Sequence, residues 1–346
     1  MHRALAALLL AAACSRPAAP ASSAPAVPPA PGAAASAPEL RTQAERLLES
    51  GQAGEARALL SRALERDAGD PQTLLALARL LVERFGDDRE ALLAALEQAE
   101  RGARAAFAGP RPDADLAAQL LLVGAMAAND LGRAPQALAL AEEGLRSRPG
   151  DVDLRYERGV ALYESCHFEE AERELGAVVQ ADPADAWALH YLALVAERSG
   201  ERQRAERLSR RAARLAPAEF ARAEPGPRDF RRMVEAALGQ LGPEERKVLR
   251  GVAVGVEDLP ALEDLTAGDP PLSPSILGLF RGPPLGEPCT AEDGPQCRSI
   301  VLYRKNLARL ARDRAELKEQ IRVTLLHEIG HLRGLDEDAL RDEGLE

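Results

Sequence analysis

The sequence predicts a multidomain chain: an all-α array of helical repeats followed by a small α/β (α+β) domain. Three observations predict it. Apolar and charged residues make up 46% and 29% of 346 residues, a globular composition, while aromatics are only 3%. So few large rings disfavour a β-sandwich or barrel and favour Ala/Leu helix packing. Small residues and prolines recur at a fixed interval through the middle of the chain, and a cluster of metal-ligand residues closes it. The net charge of −11 excludes the basic footprint that nucleic-acid binding needs.

The N-terminus reads as a targeting segment. Residues 1–13 carry a basic start and an apolar run too short to span a membrane, and the next residue is Cys14. Three alanines before Cys14 resemble a bacterial lipoprotein signal, in which the cysteine becomes the lipidated first residue; Ala11 departs from the usual leucine. Ordinary cleavage and secretion is the rival reading. Residues 14–38, almost only Ala, Pro, Ser and Gly, cannot bury a core and read as an extended tether of up to ~75 Å. The expected location is the bacterial cell envelope, facing periplasm or cell surface, with the membrane contacted by the lipid anchor only.

Residues 39–219 read as helical repeats. Pro149, Pro183 and Pro217 are spaced by 34, as are Ala137, Ala171 and Ala205, and the small residues Ala125, Gly159 and Ala193. These ladders resemble tetratricopeptide repeats, with units at 118–151, 152–185 and 186–219 and a weaker copy near 37–70. Between them, 71–107 is helical but off period. Stacking of such units buries a core and leaves a wall for a protein or peptide partner. By the resemblance, that wall includes Met126, Asn129, Tyr156, Tyr163, Trp187 and His190. The rings suit a peptide groove and suit packing between helices equally well. Arginines between Arg198 and Arg214, interleaved with Glu197, Glu201 and Glu206, read as a solvated helix face. His167 reads as packing or surface, and Cys166 as a buried, inert thiol.

Residues 220–346 carry the chemistry. His327 and His331 at i and i+4 share one helix face and can direct ring nitrogens at one ion. Glu328, one position on, can reach a water there without being a ligand. Gly334 lets the chain turn, bringing Glu337 back as a third ligand, with Asp336 the rival carboxylate. The pattern His327-Glu-Ile-Gly-His331, then Gly334 and Glu337, resembles the minimal zincin-like metallopeptidases. So do an opening helix at Arg232, strands around Val252–Pro260, Ile276–Gly282 and Ile300–Arg304, and their order. The resemblance covers about a third of the chain. It implies strands packed on a metal-bearing helix and a Zn2+ cofactor.

The activity this implies is a zinc metallopeptidase, with His327, His331 and Glu337 as ligands and Glu328 as catalytic base. The strand at Ile300–Tyr303 is expected to pair with substrate, and Tyr303 either supports the oxyanion or packs on the helix. Cys289 and Cys297, not expected from the family, read as a disulfide-closed loop in an exported protein. The alternative to an enzyme is a tethered scaffold whose zincin-like domain is structural or inactive.

Overall fold

A computed structural model describes residues 35–108, 111–220, 222, 224–289 and 297–345. The expected targeting segment, Cys14 and all but the last residues of the expected tether lie outside the described residues. The chain divides into two units. The first runs to Tyr163 and from His167 to Val195; the second takes in Glu164–Cys166 and everything from Ala196.

The first unit is built from helix pairs: α1 (Ala37–Glu49) with α2 (Ala53–Arg66), α3 (Pro71–Phe85) with α4 (Arg89–Ala108), and α5 (Ala114–Asp130) with α6 (Ala134–Ser147). α7 (Val152–Glu164), α8 (Phe168–Ala181) and α9 (Ala186–Arg198) continue the series. α1 begins two residues before the expected boundary because the Ser36 amide donates to the Glu39 carboxylate at 2.8 Å, an N-terminal capping contact. The off-period stretch is a pair too, displaced from the 34-residue interval by the 20-residue α4.

Each alanine of the 34-residue ladder is buried at a helix contact, Ala137 and Ala171 completely. Gly159 sits so close to α8 that a Cβ would lie 2.8 Å from Leu175 Cγ. The hairpin turns share one geometry. The amides of Gln52, Arg133, His167 and Glu201 each donate to a carbonyl five residues back, at 2.8 Å, closing the helix end behind a residue of positive φ.

The second unit holds α10 (Arg202–Leu215), α11 (Pro217–Phe220), α12 (Pro227–Gln240) and α13 (Pro243–Val248), then β1 (Ala253–Glu257), α14 (Leu262–Leu265), β2 (Gly278–Arg281) and β3 (Ser299–Tyr303). α15 (Arg304–Leu310), α16 (Arg314–Leu332) and α17 (Glu337–Asp342) follow. The sheet order is β1-β3-β2, with β1 parallel and β2 antiparallel to β3. β3 is therefore central and both its edges are used. The expectation that Ile300–Tyr303 pairs with substrate is corrected: its nearly unbroken apolar run marks an interior strand, and the edge strands are β1 and β2, of which β2 is the one packed on α16.

The core of this unit joins Phe230, Met233 and Val234 of α12 to Ile300 and Leu302 of β3 and to Leu317, Ile321, Leu325 and Ile329 of α16. One face of α16 is thereby fixed, and the other looks onto β2. A disulfide joins Cys289 and Cys297, with Cα atoms 5.9 Å apart. Arg298 braces the same loop by donating to the carbonyls of Pro283, Pro284 and Glu287.

Candidate metal centre

The last two turns of α16 carry His327 and His331, with ring centroids 4.7 Å apart. Their Nδ1 atoms lie 2.8 Å from the Leu345 carbonyl and 3.0 Å from the Leu335 carbonyl. A carbonyl only accepts, so each Nδ1 must be the protonated nitrogen of its ring. Each Nε2 then presents a lone pair, and the two Nε2 atoms face each other at 3.1 Å. Glu337 adds a carboxylate, with oxygens 3.3 Å from His331 Nε2 and 3.8 Å from His327 Nε2. Three electron pairs converge with no donor among them, an arrangement that a cation satisfies. Two imidazoles on one tetrahedral zinc at 2.0–2.1 Å stand about 3.3 Å apart, close to the observed separation. Among the described residues, these three are the group of His, Cys, Asp or Glu with ligand atoms mutually within 4.8 Å.

The local fold explains the third ligand. Gly334 takes φ +90°, turning the chain out of α16. Asp336 then caps α17, its carboxylate accepting from the Ala339 amide at 2.9 Å. Glu337 is the first residue of α17 and points back at the histidines. α17 is held by Leu340, fully buried over Gly330, where a Cβ would come within 2.2 Å of Leu340 Cδ2. The turn after α17 delivers the Leu345 carbonyl to His327, so one short helix places a ligand at one end and a ring-orienting acceptor at the other. Neither Leu335 nor Leu345 carries a sequence signal for this role, because the acceptor is main chain.

Glu328 is buried, 5% exposed, on the side of α16 that faces β2. Burial pushes its carboxyl up to about 8; the Phe280 backbone amide opposes the rise and the Glu337 charge adds to it. β2 approaches closely here, since a Cβ on Gly278 would lie 2.8 Å from both Glu328 Oε1 and Thr324 Cγ2. The Tyr303 amide donates to the Leu277 carbonyl at 2.8 Å, so alternation turns the main-chain groups of Gly278 and Phe280 to the other, outer edge of β2. A cavity of about 640 Å3 lies beside the histidines, between α16 and the segment leading into β2.

Other expected residues sit elsewhere. Tyr303 is fully buried and does not line this cavity. Its hydroxyl lies beside the Arg281 guanidinium, and burial raises its pKa above the ordinary phenol value. The oxyanion role is therefore corrected to the packing role. Tyr156 and Tyr163 are also buried, each packed edge-on against Tyr191, with centroids 6.3 and 5.6 Å away. They are corrected from groove to interhelix packing, because inward positions of adjacent helices bring their rings together. Trp187 and His190 stay half-buried and stack edge-on to each other at 6.4 Å. Asn129 is engaged by Glu157, its amide donating to a carboxylate oxygen at 2.8 Å. Cys166 is half-buried with a positive φ of 63°.

Residues 249–345 match the family of zincin-like metallopeptidases, and residues 125–196 match the tetratricopeptide repeat. No curated protein matches the chain. Among solved structures, YrrB, a tetratricopeptide-repeat protein with an unusual peptide-binding site, is 20% identical, covering 52% of this chain and 87% of its own at a TM-score of 0.41. MamA from Desulfovibrio magneticus RS-1 is 17% identical, covering 53% and 96% at a TM-score of 0.44. The chain thus joins tetratricopeptide repeats to a C-terminal zincin-like domain.

Proposed function

We propose that this chain, a tetratricopeptide-repeat array joined to a zincin-like domain, is a zinc metallopeptidase of the bacterial cell envelope. The observation that carries the reading is the pair of facing Nε2 lone pairs with the Glu337 carboxylate, beside the buried Glu328. A zinc ion held by His327, His331 and Glu337 would acidify a water and polarise a carbonyl. Glu328, buried beside these ligands, would act as the base that takes a proton from the attacking water and passes it to the leaving amine. The carbonyls of Leu335 and Leu345 keep both rings turned for ligation, the orienting role that outer-shell acceptors play at metal sites. With the Phe280 amide engaged by Glu328, the outer edge of β2 offers the main-chain groups of Gly278 and the Phe280 carbonyl to an extended peptide, a common mode of peptide recognition.

In this reading the repeats recruit a protein or peptide partner, with Met126, Asn129, Trp187 and His190 the half-buried members of the expected wall. Lipidation at Cys14 would hold the protein at the membrane, and Cys14→Ser should release it. Metal analysis and cleavage assays on wild type and Glu328→Gln test the enzyme reading. A variant that keeps zinc and loses cleavage supports it; a zinc-loaded wild type that cleaves no peptide removes it. The repeat array favours a second reading, a tethered scaffold with a structural metal site, which that last outcome would select.

A further inference from the structure

We infer that the site selects peptides carrying a bulky apolar side chain next to the scissile bond. This rests on the peptidase reading. The face of α16 formed by Gln320, Val323, Thr324, His327 and His331 floors the cavity, and Leu272, Ile276, Leu277 and Leu279 wall it. Every ionisable group lining the cavity belongs to the metal end: His327, Glu328, His331, Asp336 and Glu337. Away from that end the lining is apolar apart from Gln320 and Thr324. A charged side chain entering there would lose its hydration and gain no partner.

The geometry gives the position. Val323 precedes His327 by one helical turn, about 6 Å along α16 at 1.5 Å per residue. An extended peptide advances about 3.3 Å per residue. A side chain one residue from a carbonyl at the histidines therefore falls between His327 and Val323, under the leucine wall. The volume lies within the roughly 300–1,000 Å3 usual for ligand pockets. The wall is also fixed in advance: the buried Asn306 amide donates to the carbonyls of Pro274 and Ile276 at 2.9 and 2.8 Å. Ser273 and Ser275 donate to the half-buried Glu164 carboxylate from the same segment.

The test uses the full chain loaded with zinc and a set of fluorogenic peptides that differ only at the residue beside the scissile bond. Leu and Phe should exceed Asp and Lys by tenfold or more in kcat/KM. Val323→Arg, at a partly exposed position, should remove that preference and favour Asp. The second readout is binding of the Leu peptide to Glu328→Gln protein, which Val323→Arg should weaken at least fivefold; Val323→Ser serves if the arginine variant does not fold. Cleavage without side-chain preference, or a preference that Val323→Arg leaves unchanged, overturns the inference and leaves the peptidase reading standing. If no peptide is cleaved, the peptidase reading falls and binding decides: Leu over Asp supports an apolar pocket, and equal binding overturns it.

Discussion

His327 and His331 face each other Nε2 to Nε2 at 3.1 Å, each with its Nδ1 proton committed to a carbonyl. Neutral rings in these tautomers oppose each other without a cation. Nitrogen-15 spectra of the metal-free protein at alkaline pH should show both rings protonated at Nδ1. Zinc should shift the Nε2 signals of both. His327→Ala and His331→Ala should each abolish tight binding, because two remaining ligands do not hold a tetrahedral site. Retention of tight zinc by either variant would place the metal elsewhere.

Glu337 and Asp336 are adjacent carboxylates with different tasks. Glu337→Ala should weaken zinc strongly, since its oxygens are the ones near Nε2. Asp336→Ala removes the cap of α17 and should cost about 1 kcal/mol of local stability, with a smaller loss of zinc through a looser Glu337. Zinc titration of the two variants separates them; equal loss would mean that the cap matters as much as the ligand.

The metal residues were legible in the sequence because all three lie within eleven positions, on elements whose periodicity fixes direction: His327 and His331 on one helix face, Glu337 beyond a glycine turn. The repeat ladders were legible for a similar reason, since Ala137, Ala171 and Ala205 share one contact. What stayed hidden depends on tertiary neighbours. The Leu345 carbonyl is a main-chain acceptor, and Gly278 is needed only because β2 passes close to Glu328. The choice of β3 as substrate strand failed on sheet order, which local pattern does not encode. Tyr156 and Tyr163 read as groove residues until Tyr191 is found packed against them.

Tyr303→Phe should leave peptide cleavage within about twofold of wild type. Its hydroxyl is buried beside Arg281 and has no path to the cavity, whereas an oxyanion donor typically contributes 10²–10³ in kcat. A loss of a hundredfold with the fold intact would return the residue to the chemistry.

Cys166 occupies the turn position that Gly132 and Gly200 hold in the neighbouring repeats, 34 residues away on each side, all with positive φ. A residue with a Cβ pays roughly 1–2 kcal/mol for this conformation, and glycine's extra freedom in the unfolded chain returns part of that. Cys166→Gly should therefore stabilise the protein by about 0.5–1 kcal/mol. Loss of the thiol contact to the Leu272 carbonyl at 3.6 Å is a small opposing effect. Denaturant unfolding of the variant measures the sign, and Cys166→Ala should show no gain.

Glu328 makes the stability of the metal-free protein depend on pH. Burial raises its native pKa to about 8 from the ordinary 4.5. Between these values the native state holds a proton that the unfolded state has released. Stability is therefore fullest below about pH 4.5 and falls as pH rises through about 8, on the order of a few kcal/mol for this group. Glu328→Gln removes the ionisation while keeping the shape. The variant should match wild type near pH 4.5 and unfold at a clearly higher temperature near pH 8.5, both without metal. Other carboxylates such as the half-buried Glu164 titrate in both proteins, so the difference between them is what reports Glu328. A difference that stays flat across that range would show that the Glu328 carboxyl is already ionised in the native state, held by more than the Phe280 amide.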